Sequence, residues 1–324
     1  MVKCALIMSI LNKKSQFLLI LIAVSFVSVE LFARFVLGLG DPAISIEHSS
    51  IEYMFKPNQD VKRFGNRILI NQYGMRSNHF DKIKKQASEL RVMVYGDSVI
   101  NGGNLTDHSQ LATSLLQQEL SKQIEIPVIV GNISAGSWGP INILAHSKEF
   151  GFFNADIVIL VLSSHDYADI PTFLPLNPNT HPTNKPIFAV WEGITRYLPK
   201  YLPLIYNNET HPVQASLTKQ TAIDSSLQAL RKMILNAKTT EAKVMLLLHW
   251  TKQELESGLP NEGHGAIRGI LSNLQIPIYQ DSQLFQKNIN KGQNPYRDNI
   301  HPNVLGQQIL SSIMMKMIQN VRNE

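Results

Sequence analysis

Val92-Met-Val-Tyr-Gly-Asp-Ser98 is an apolar run that leads directly into Gly-Asp-Ser. A short apolar run bounded by turn residues is typical of a buried strand. Ser98 is therefore predicted at the carboxyl edge of a sheet, where doubly wound folds build their sites. Gly96 permits a tight turn, and the amides around Ser98 could face a developing oxyanion. An ordinary strand end also favours such turn residues, so this stretch alone leaves both readings open.

From Arg91 onwards, apolar strand patterns alternate with amphipathic helix patterns. The predicted strands are 92–95, 128–130, 157–162, 244–248 and 276–279, and the predicted helices are 107–119, 141–150, 226–237, 266–274 and 304–318. This alternation predicts an α/β domain whose parallel sheet is covered by helices on both faces.

A second polar motif, Arg297-Asp-Asn-Ile-His-Pro-Asn303, stands just before the last predicted helix. An aspartate and a histidine three positions apart on a turn can meet, so Asp298 could hold the ring of His301. The other ring nitrogen would then be free to act as a base. A capped helix start with a solvent-facing histidine is the alternative.

Taken together, the two motifs resemble the SGNH/GDSL hydrolase family over about residues 91–318. The resemblance implies that Ser98 is the nucleophile and that Asp298 and His301 complete a catalytic triad. It also implies a flavodoxin-like three-layer α/β/α sandwich with a mainly parallel five-stranded sheet. Ester hydrolysis or acyl transfer through an acyl-enzyme is the expected chemistry, with no cofactor and no metal.

The resemblance also assigns an oxyanion hole. Its donors would be the amides of Ser98 and of Gly136 or Ser137, which follow the second strand. The family's third block reads Gly-x-Asn-Asp, and its asparagine position is occupied here by His165. A neutral imidazole can donate one N–H, so His165 could replace the asparagine. The alternative is a strand-end histidine satisfied by a neighbouring backbone group.

The amino-terminal region predicts one transmembrane helix. Residues 17–39 are apolar and long enough to cross a bilayer, and Glu30 and Arg34 could pair within them. Lysines precede this segment at positions 3, 13 and 14, which favours a cytoplasmic amino terminus and an external main domain. A cleaved signal sequence and a buried helix are the alternatives.

Three regions are therefore expected: an anchor or signal sequence at 1–40, a juxtamembrane cap at 41–90, and a hydrolase domain at 91–324. The cap resembles the region that precedes the catalytic domain in some membrane-anchored bacterial members of the family, through 53–59 and 71–77. An irregular insertion at about 170–215 is predicted to be a functional loop or lid. Its aromatic residues could face sugar rings or merely pack the insertion: Phe173, Phe188, Trp191, Tyr197, Tyr201 and Tyr206.

Composition narrows the class of protein. With 324 residues, 44% of them hydrophobic, the chain can bury one large core. Its net charge of +5 comes from lysines and arginines spread along the chain, which does not favour nucleic-acid binding. Cys4 is the sole cysteine, so an intramolecular disulfide and a multi-cysteine zinc site are excluded.

These features predict a membrane-anchored esterase that removes acyl groups, such as O-acetyl, from an extracytoplasmic glycan. Its catalytic domain would lie in the periplasm or on the cell surface of a bacterium. Two alternatives stay open. One is an O-acyltransferase that uses the same triad on a cell-surface polysaccharide, and the other is a catalytically weak glycan-binding or assembly protein that retains the fold.

Overall fold

The computed structural model describes residues 12–200 and 218–322. Its first element is helix α1 (Lys13–Phe35), which Asn12 caps by accepting a hydrogen bond from the amide of Ser15 at 2.9 Å. An 18-residue window of the helix has a mean hydropathy of 2.2, and the helix is long and apolar enough to cross a membrane. Ala33 alone among its residues is buried.

Two antiparallel hairpins follow. Strand β1 (Ser45–His48) pairs with β2 (Glu52–Phe55), and β3 (Gln59–Arg63) pairs with β4 (Asn66–Ile70). The first hairpin packs on the following α/β unit, because the Trp138 indole donates to the carbonyl of Tyr53.

The main sheet has five parallel strands in the order β6-β5-β7-β8-β9. Their bounds are β5 (Leu90–Gly96), β6 (Val128–Ser134), β7 (Ile157–Ser163), β8 (Lys243–His249) and β9 (Ile278–Gln280). The chain moves outward from β5 to β6 and then crosses back to β7, so the strand order reverses between β5 and β7. The carboxyl ends of these two strands define the switch point at which such folds place their sites.

Alternating side chains of the central strands feed two separate apolar layers. On β7, Ile157, Ile159 and Val161 face one layer, while Val158 and Leu160 face the other. The helices that complete these layers are α3 (Ala112–Gln123), α9 (Ser282–Ile289) and α10 (Val304–Arg322) on the first side, and α4 (Pro140–Phe150), α6 (Lys219–Lys238) and α8 (Glu262–Asn273) on the second. The predicted three-layer α/β/α fold with a five-stranded parallel sheet is confirmed.

Several local expectations differ from the structure. The helix expected from Asp107 begins at Ala112, because the Asp107 carboxylate accepts the amide of Ser109 and caps a separate 3-10 turn. Helix α9 and the short helix α7 (Lys252–Ser257) were not expected. The remaining short helices are α2 (Ser98–Asn101) and α5 (Ala189–Glu192), the latter continued by a π-helical turn over Gly193–Tyr197. Cys4, Tyr201, Tyr206 and the part of the predicted insertion beyond residue 200 lie outside the described residues.

Candidate active site

Ser98 stands at the switch point of the sheet, two residues after Gly96, the last residue of β5. A Cβ atom on Gly96 would lie 2.8 Å from the carbonyl oxygen of Val161, so only glycine lets β5 end this close to β7. The Asp97 carboxylate accepts the amide of Val99 at 2.9 Å and so begins α2 at Ser98. As a first-turn residue, Ser98 has an amide without an intrahelical acceptor.

His301 and Asp298 reach Ser98 from the other end of the chain. His301 Nε2 lies 3.0 Å from Ser98 Oγ, and His301 Nδ1 lies 2.8 Å from Asp298 Oδ2. The Asp298 carboxylate also accepts the amides of Ile300 at 3.0 Å and His301 at 2.8 Å. Partial burial works against ionisation of Asp298, but these amides and the His301 ring outweigh it and lower its pKa. The three side chains therefore form one hydrogen-bonded chain with an ionised carboxylate at its end.

A buried histidine, His249, contacts the backbone of the loop that contains Asp298 and His301. His249 is fully buried, pairs with Asp281 through Nδ1, and lies 2.7 Å from the carbonyl oxygen of Ile300 through Nε2. Burial disfavours the imidazolium, but Asp281 and this carbonyl raise the pKa of His249. Because both ring nitrogens face acceptors, the protonated ring satisfies both. Sequence reasoning did not assign this role to His249, whose partners are distant along the chain.

His165, expected to donate to the oxyanion, lies among carboxylates. Its Nε2 atom is 3.4 Å from Asp97, 3.5 Å from Asp166 and 3.6 Å from Asp169. Burial alone would lower the pKa of His165, but these carboxylates raise it to about 10. The ring is thus a cation at neutral pH and both nitrogens carry protons, which leaves Nδ1–H as the donor that an oxyanion could use.

The same cluster is the one group of metal-ligand type found among the described residues. Ligand atoms of Asp97, His165 and Asp166 all lie within 4.8 Å of one another. The buried oxygens of Asp97 and Asp166 in this group face His165 Nε2 at 3.4 and 3.5 Å. A divalent cation could use these atoms only after His165 lost its proton, which the surrounding negative charge opposes.

The second predicted oxyanion segment also reaches the site. Gly136 lines the cleft beside Ser98, and its carbonyl accepts a hydrogen bond from the Tyr53 hydroxyl. Ser137 adopts a left-handed conformation with φ of 59°, and it is not among the residues that line this cleft. Of the predicted donors, the structure brings Ser98 and Gly136 together in the cleft. Ser137 adjoins Gly136 along the chain, and His165 lies 3.4 Å from the carboxylate of Asp97, the residue before Ser98.

The cleft has a volume of about 180 Å³ and draws its walls from three regions of the chain. Besides Ser98 and His301, its lining includes Tyr53 of the first hairpin, His181 and Arg196 of the insertion, and Arg297. The Nη1 atom of Arg297 is buried without a hydrogen-bond partner among the described residues. Sequence reasoning missed these lining residues, because hairpin and insertion contribute single side chains with no recognisable spacing.

The aromatic residues of the insertion occupy other places. Phe173, Phe188, Trp191 and Tyr197 are not among the residues that line the Ser98 cleft. Tyr197 packs edge-on against Phe64 at 5.2 Å between ring centroids. These four rings therefore do not face a sugar bound in the Ser98 cleft.

Comparisons with known proteins were made on sequence and on structure. No family model matches the chain, and no curated protein sequence matches it. A two-domain esterase active on acetylated mannans has a similar structure, at 12% identity and a TM-score of 0.47, over 73% of this chain and 50% of that one. The chain thus spans about half the length of that esterase.

Two further solved structures are similar. A catalytic mutant of an acetylxylan esterase from Geobacillus stearothermophilus is 14% identical, with a TM-score of 0.45 over 72% of this chain and 96% of that one. A member of the lipolytic protein G-D-S-L family from Veillonella parvula is 11% identical, with a TM-score of 0.44 over 71% of this chain and 98% of that one. Because these likenesses are distant, the fold assignment rests on the chain's own sheet order and layers, which are those that the resemblance to SGNH/GDSL hydrolases implies.

Proposed function

We propose that this protein is a serine esterase of the SGNH/GDSL type in which Ser98, His301 and Asp298 form the catalytic triad. The observation that carries the proposal is the continuous chain of hydrogen bonds from Ser98 Oγ through the His301 ring to Asp298. Each contact has the length expected of a nucleophile, base and orienting carboxylate. These three side chains also lie at the switch point of the sheet.

The reaction follows from these positions. His301 Nε2 accepts the proton of Ser98 Oγ as that oxygen attacks the acyl carbon, and Asp298 holds Nδ1–H and stabilises the imidazolium. Amides of Ser98 and of Gly136 or Ser137, with His165, receive the negative oxygen of the tetrahedral intermediate. His301 then protonates the leaving alcohol. Water repeats the sequence on the acyl-enzyme and releases the acid.

The size and polarity of the cleft indicate the substrate class. A volume of about 180 Å³ is below the range of about 300–1,000 Å³ typical of drug-sized ligands, which suits a short acyl group such as acetyl. Arg297, Arg196 and His181 give the cleft polar walls that suit the hydroxyl groups of a sugar. An O-acetylated glycan meets both requirements, and two of the proteins of similar structure are an esterase active on acetylated mannans and an acetylxylan esterase.

We further propose that α1 is a retained membrane anchor and that the active site lies outside the cytoplasm, in the periplasm or at the cell surface. Lys13 and Lys14 at the start of α1 favour a cytoplasmic amino terminus. Retention is supported by contacts at the other end of the helix. Glu30 of α1 accepts the amides of Ala189 and Val190 in the insertion, so removal of α1 would leave these two amides without that acceptor.

Labelling with a fluorophosphonate probe tests the nucleophile. The full chain, purified in detergent, is compared with Ser98→Ala and with Ser272→Ala, which removes an exposed serine from α8. We expect labelling of the parent and of Ser272→Ala, with none of Ser98→Ala. Equal labelling of all three proteins, or of none while they remain folded, would refute the assignment of Ser98. Release of acetate from acetylated xylan or mannan then tests the substrate class.

A further inference from the structure

The insertion presents an apolar face that the rest of the described protein leaves uncovered. Ile187 is 84% exposed and Trp191 is 61% exposed, and the same face continues with Ile194 and Leu198. Within the helical segment that α5 begins, intervals of three and four residues place Trp191, Ile194 and Leu198 on one side, and Ile187 lies two residues before the first residue of α5. Exposed apolar surface of this extent normally marks a partner or a membrane.

The opposite side of this segment is fixed to the protein. Ala189 is buried against Ala33 and Leu39, and the buried Glu192 carboxylate forms an ion pair with Arg63. The exposed face is therefore held in a defined orientation, and the lack of cover is not a consequence of a loosely attached segment.

The contact between this segment and α1 indicates the surroundings of the exposed face. The rings of Phe26 and Phe188 meet edge-on with centroids 5.6 Å apart. Phe26 precedes Phe35, the last residue of α1, by nine residues, or about 14 Å at 1.5 Å per residue. Phe188 therefore reaches the same level along the helix axis as the apolar middle of the helix, whose own side chains are exposed around it.

Glu30 and Arg34, the two charged residues in the carboxyl-terminal half of α1, pair with each other and form hydrogen bonds to the same segment. Glu30 accepts the amides of Ala189 at 2.9 Å and Val190 at 3.0 Å, and it pairs with Arg34 at 2.7 Å. Arg34 in turn donates to the carbonyl of Ile187 at 2.9 Å. Ionisable groups within a membrane are costly unless they are paired and hydrogen-bonded, and this arrangement meets that condition.

We propose that residues 187–198 insert into the lipid leaflet that the carboxyl-terminal half of α1 occupies. Phe188 then lies among the acyl chains beside Phe26, and Trp191 lies nearer the headgroups, because the segment runs from Phe26 to Glu30 and on toward the carboxyl end of α1. The inference rests on the proposed membrane anchoring of α1. Aromatic side chains, tryptophan above all, favour this interfacial depth. The occupant of the exposed face is thus the bilayer itself.

Insertion at this place would hold the active site at the membrane surface. Arg196, within the inserted segment, lines the cleft that contains Ser98 and His301. Arg196 and Pro182 also line a neighbouring cleft of about 390 Å³, whose walls include Trp191. The active site would therefore bind its substrate close to the lipid headgroups.

Depth-dependent quenching of tryptophan fluorescence tests the proposal. The full chain is reconstituted into phosphatidylcholine vesicles that carry a doxyl group at a shallow position on the acyl chain. The chain has three tryptophans, and Trp138 is buried in the core. We expect strong quenching that Trp191→Phe abolishes, because Trp191 is the tryptophan placed in lipid. Vesicle flotation of the same samples reports anchoring separately.

Matched charge variants complete the test. Ile187→Glu should reduce the lipid quenching of Trp191, whereas Ile83→Glu, at an isoleucine 72% exposed on the loop before β5, should leave it unchanged. Protein that floats with its vesicles but shows no quenching of Trp191 would overturn the insertion while leaving the anchor intact. Protein that does not float would overturn both. Fluorophosphonate labelling of Ser98 is read independently, so a failed esterase assignment is distinguished from either result.

Discussion

Two loops at the carboxyl edge of the sheet each hold a histidine beside aspartate, and they prepare it for opposite tasks. In the loop that contains His301, the ring contacts one carboxylate, Asp298, and turns its other nitrogen to Ser98. In the loop after β7, the Nε2 atom of His165 faces three carboxylates between 3.4 and 3.6 Å away. One aspartate orients a ring that can still accept a proton. The carboxyl groups around His165 hold its ring as a cation, although burial raises the pKa of Asp166 and of Asp169. A cationic ring can donate but cannot act as a base at neutral pH.

The largest effect expected from this comparison concerns the serine that faces His301. Ser98→Ala should lower kcat for 4-nitrophenyl acetate by roughly 10⁶-fold, the loss seen when a triad nucleophile is removed. Ser272→Ala is the folding-matched control and should keep full activity. Activity of Ser98→Ala within tenfold of the parent would remove the triad from the mechanism.

The next prediction compares the carboxylates of the two loops directly. Asp298→Asn should lower kcat by about 10⁴-fold, because an amide favours the wrong tautomer of His301. Asp169→Asn removes one of three carboxylates near His165 and should cost far less. Steady-state kinetics of the two variants provide the measurement. Similar losses in both would mean that the loops do not differ in the way their geometry indicates.

A smaller effect is expected from the histidine beneath the loop of His301. Asp281→Asn weakens the hold of His249 on the Ile300 carbonyl and should displace His301 slightly. Misplacement of a catalytic group by about 1 Å can cost about 100-fold, so we expect a loss of about 10- to 100-fold in kcat with KM unchanged. A change confined to KM, or to thermal stability alone, would contradict this positioning role.

The smallest effect is one on stability. His165→Asn restores the residue type of the family motif but leaves Asp97, Asp166 and Asp169 without their cation. We expect Tm to fall by about 2–4 °C for each kcal/mol lost, with a modest total because the side chain is 41% exposed. Thermal unfolding of the variant and the parent across a pH series provides the measurement.

The pH dependence of this loss has a definite sign. The pKa of His165 is raised to about 10 in the folded protein, from an ordinary value near 6.5. Its stabilising contribution is therefore complete below about pH 6.5 and disappears as the pH rises through about 10. The difference in Tm between parent and variant should be largest near pH 6 and should vanish toward pH 10. A difference that grows with pH would show that His165 is not held as a cation.

Local patterns were enough to predict the α/β body. The strand around Val158 is wholly apolar, as burial on both faces requires. Helix α10 repeats its apolar residues at helical spacing, as burial on one face requires. Helix α9 was missed because it has only eight residues, of which Phe285 alone is buried. One apolar position cannot show a helical repeat in the sequence.

The candidate site was predictable in part for the same reason. Ser98 follows an unmistakable strand, and Asp298 and His301 are close enough along the chain to meet on one turn. His165 was placed correctly after its strand, but its charge state depends on Asp97, which is distant in sequence. The cleft residues Tyr53 and Arg196 had no local pattern at all.

The sequence by itself determined the layered fold, the apolar helix near the amino terminus, and the pair Asp298 and His301 that the structure brings to Ser98, because these depend on periodicity and on short-range spacing. Tertiary structure alone decided that three carboxylates surround His165, that His249 supports the loop of His301, and that residues 187–198 lie against α1. Each of these depends on at least one residue from a distant part of the chain, which for His165 is Asp97. Burial and mutual charge then set their protonation and exposure, and no local pattern encodes either.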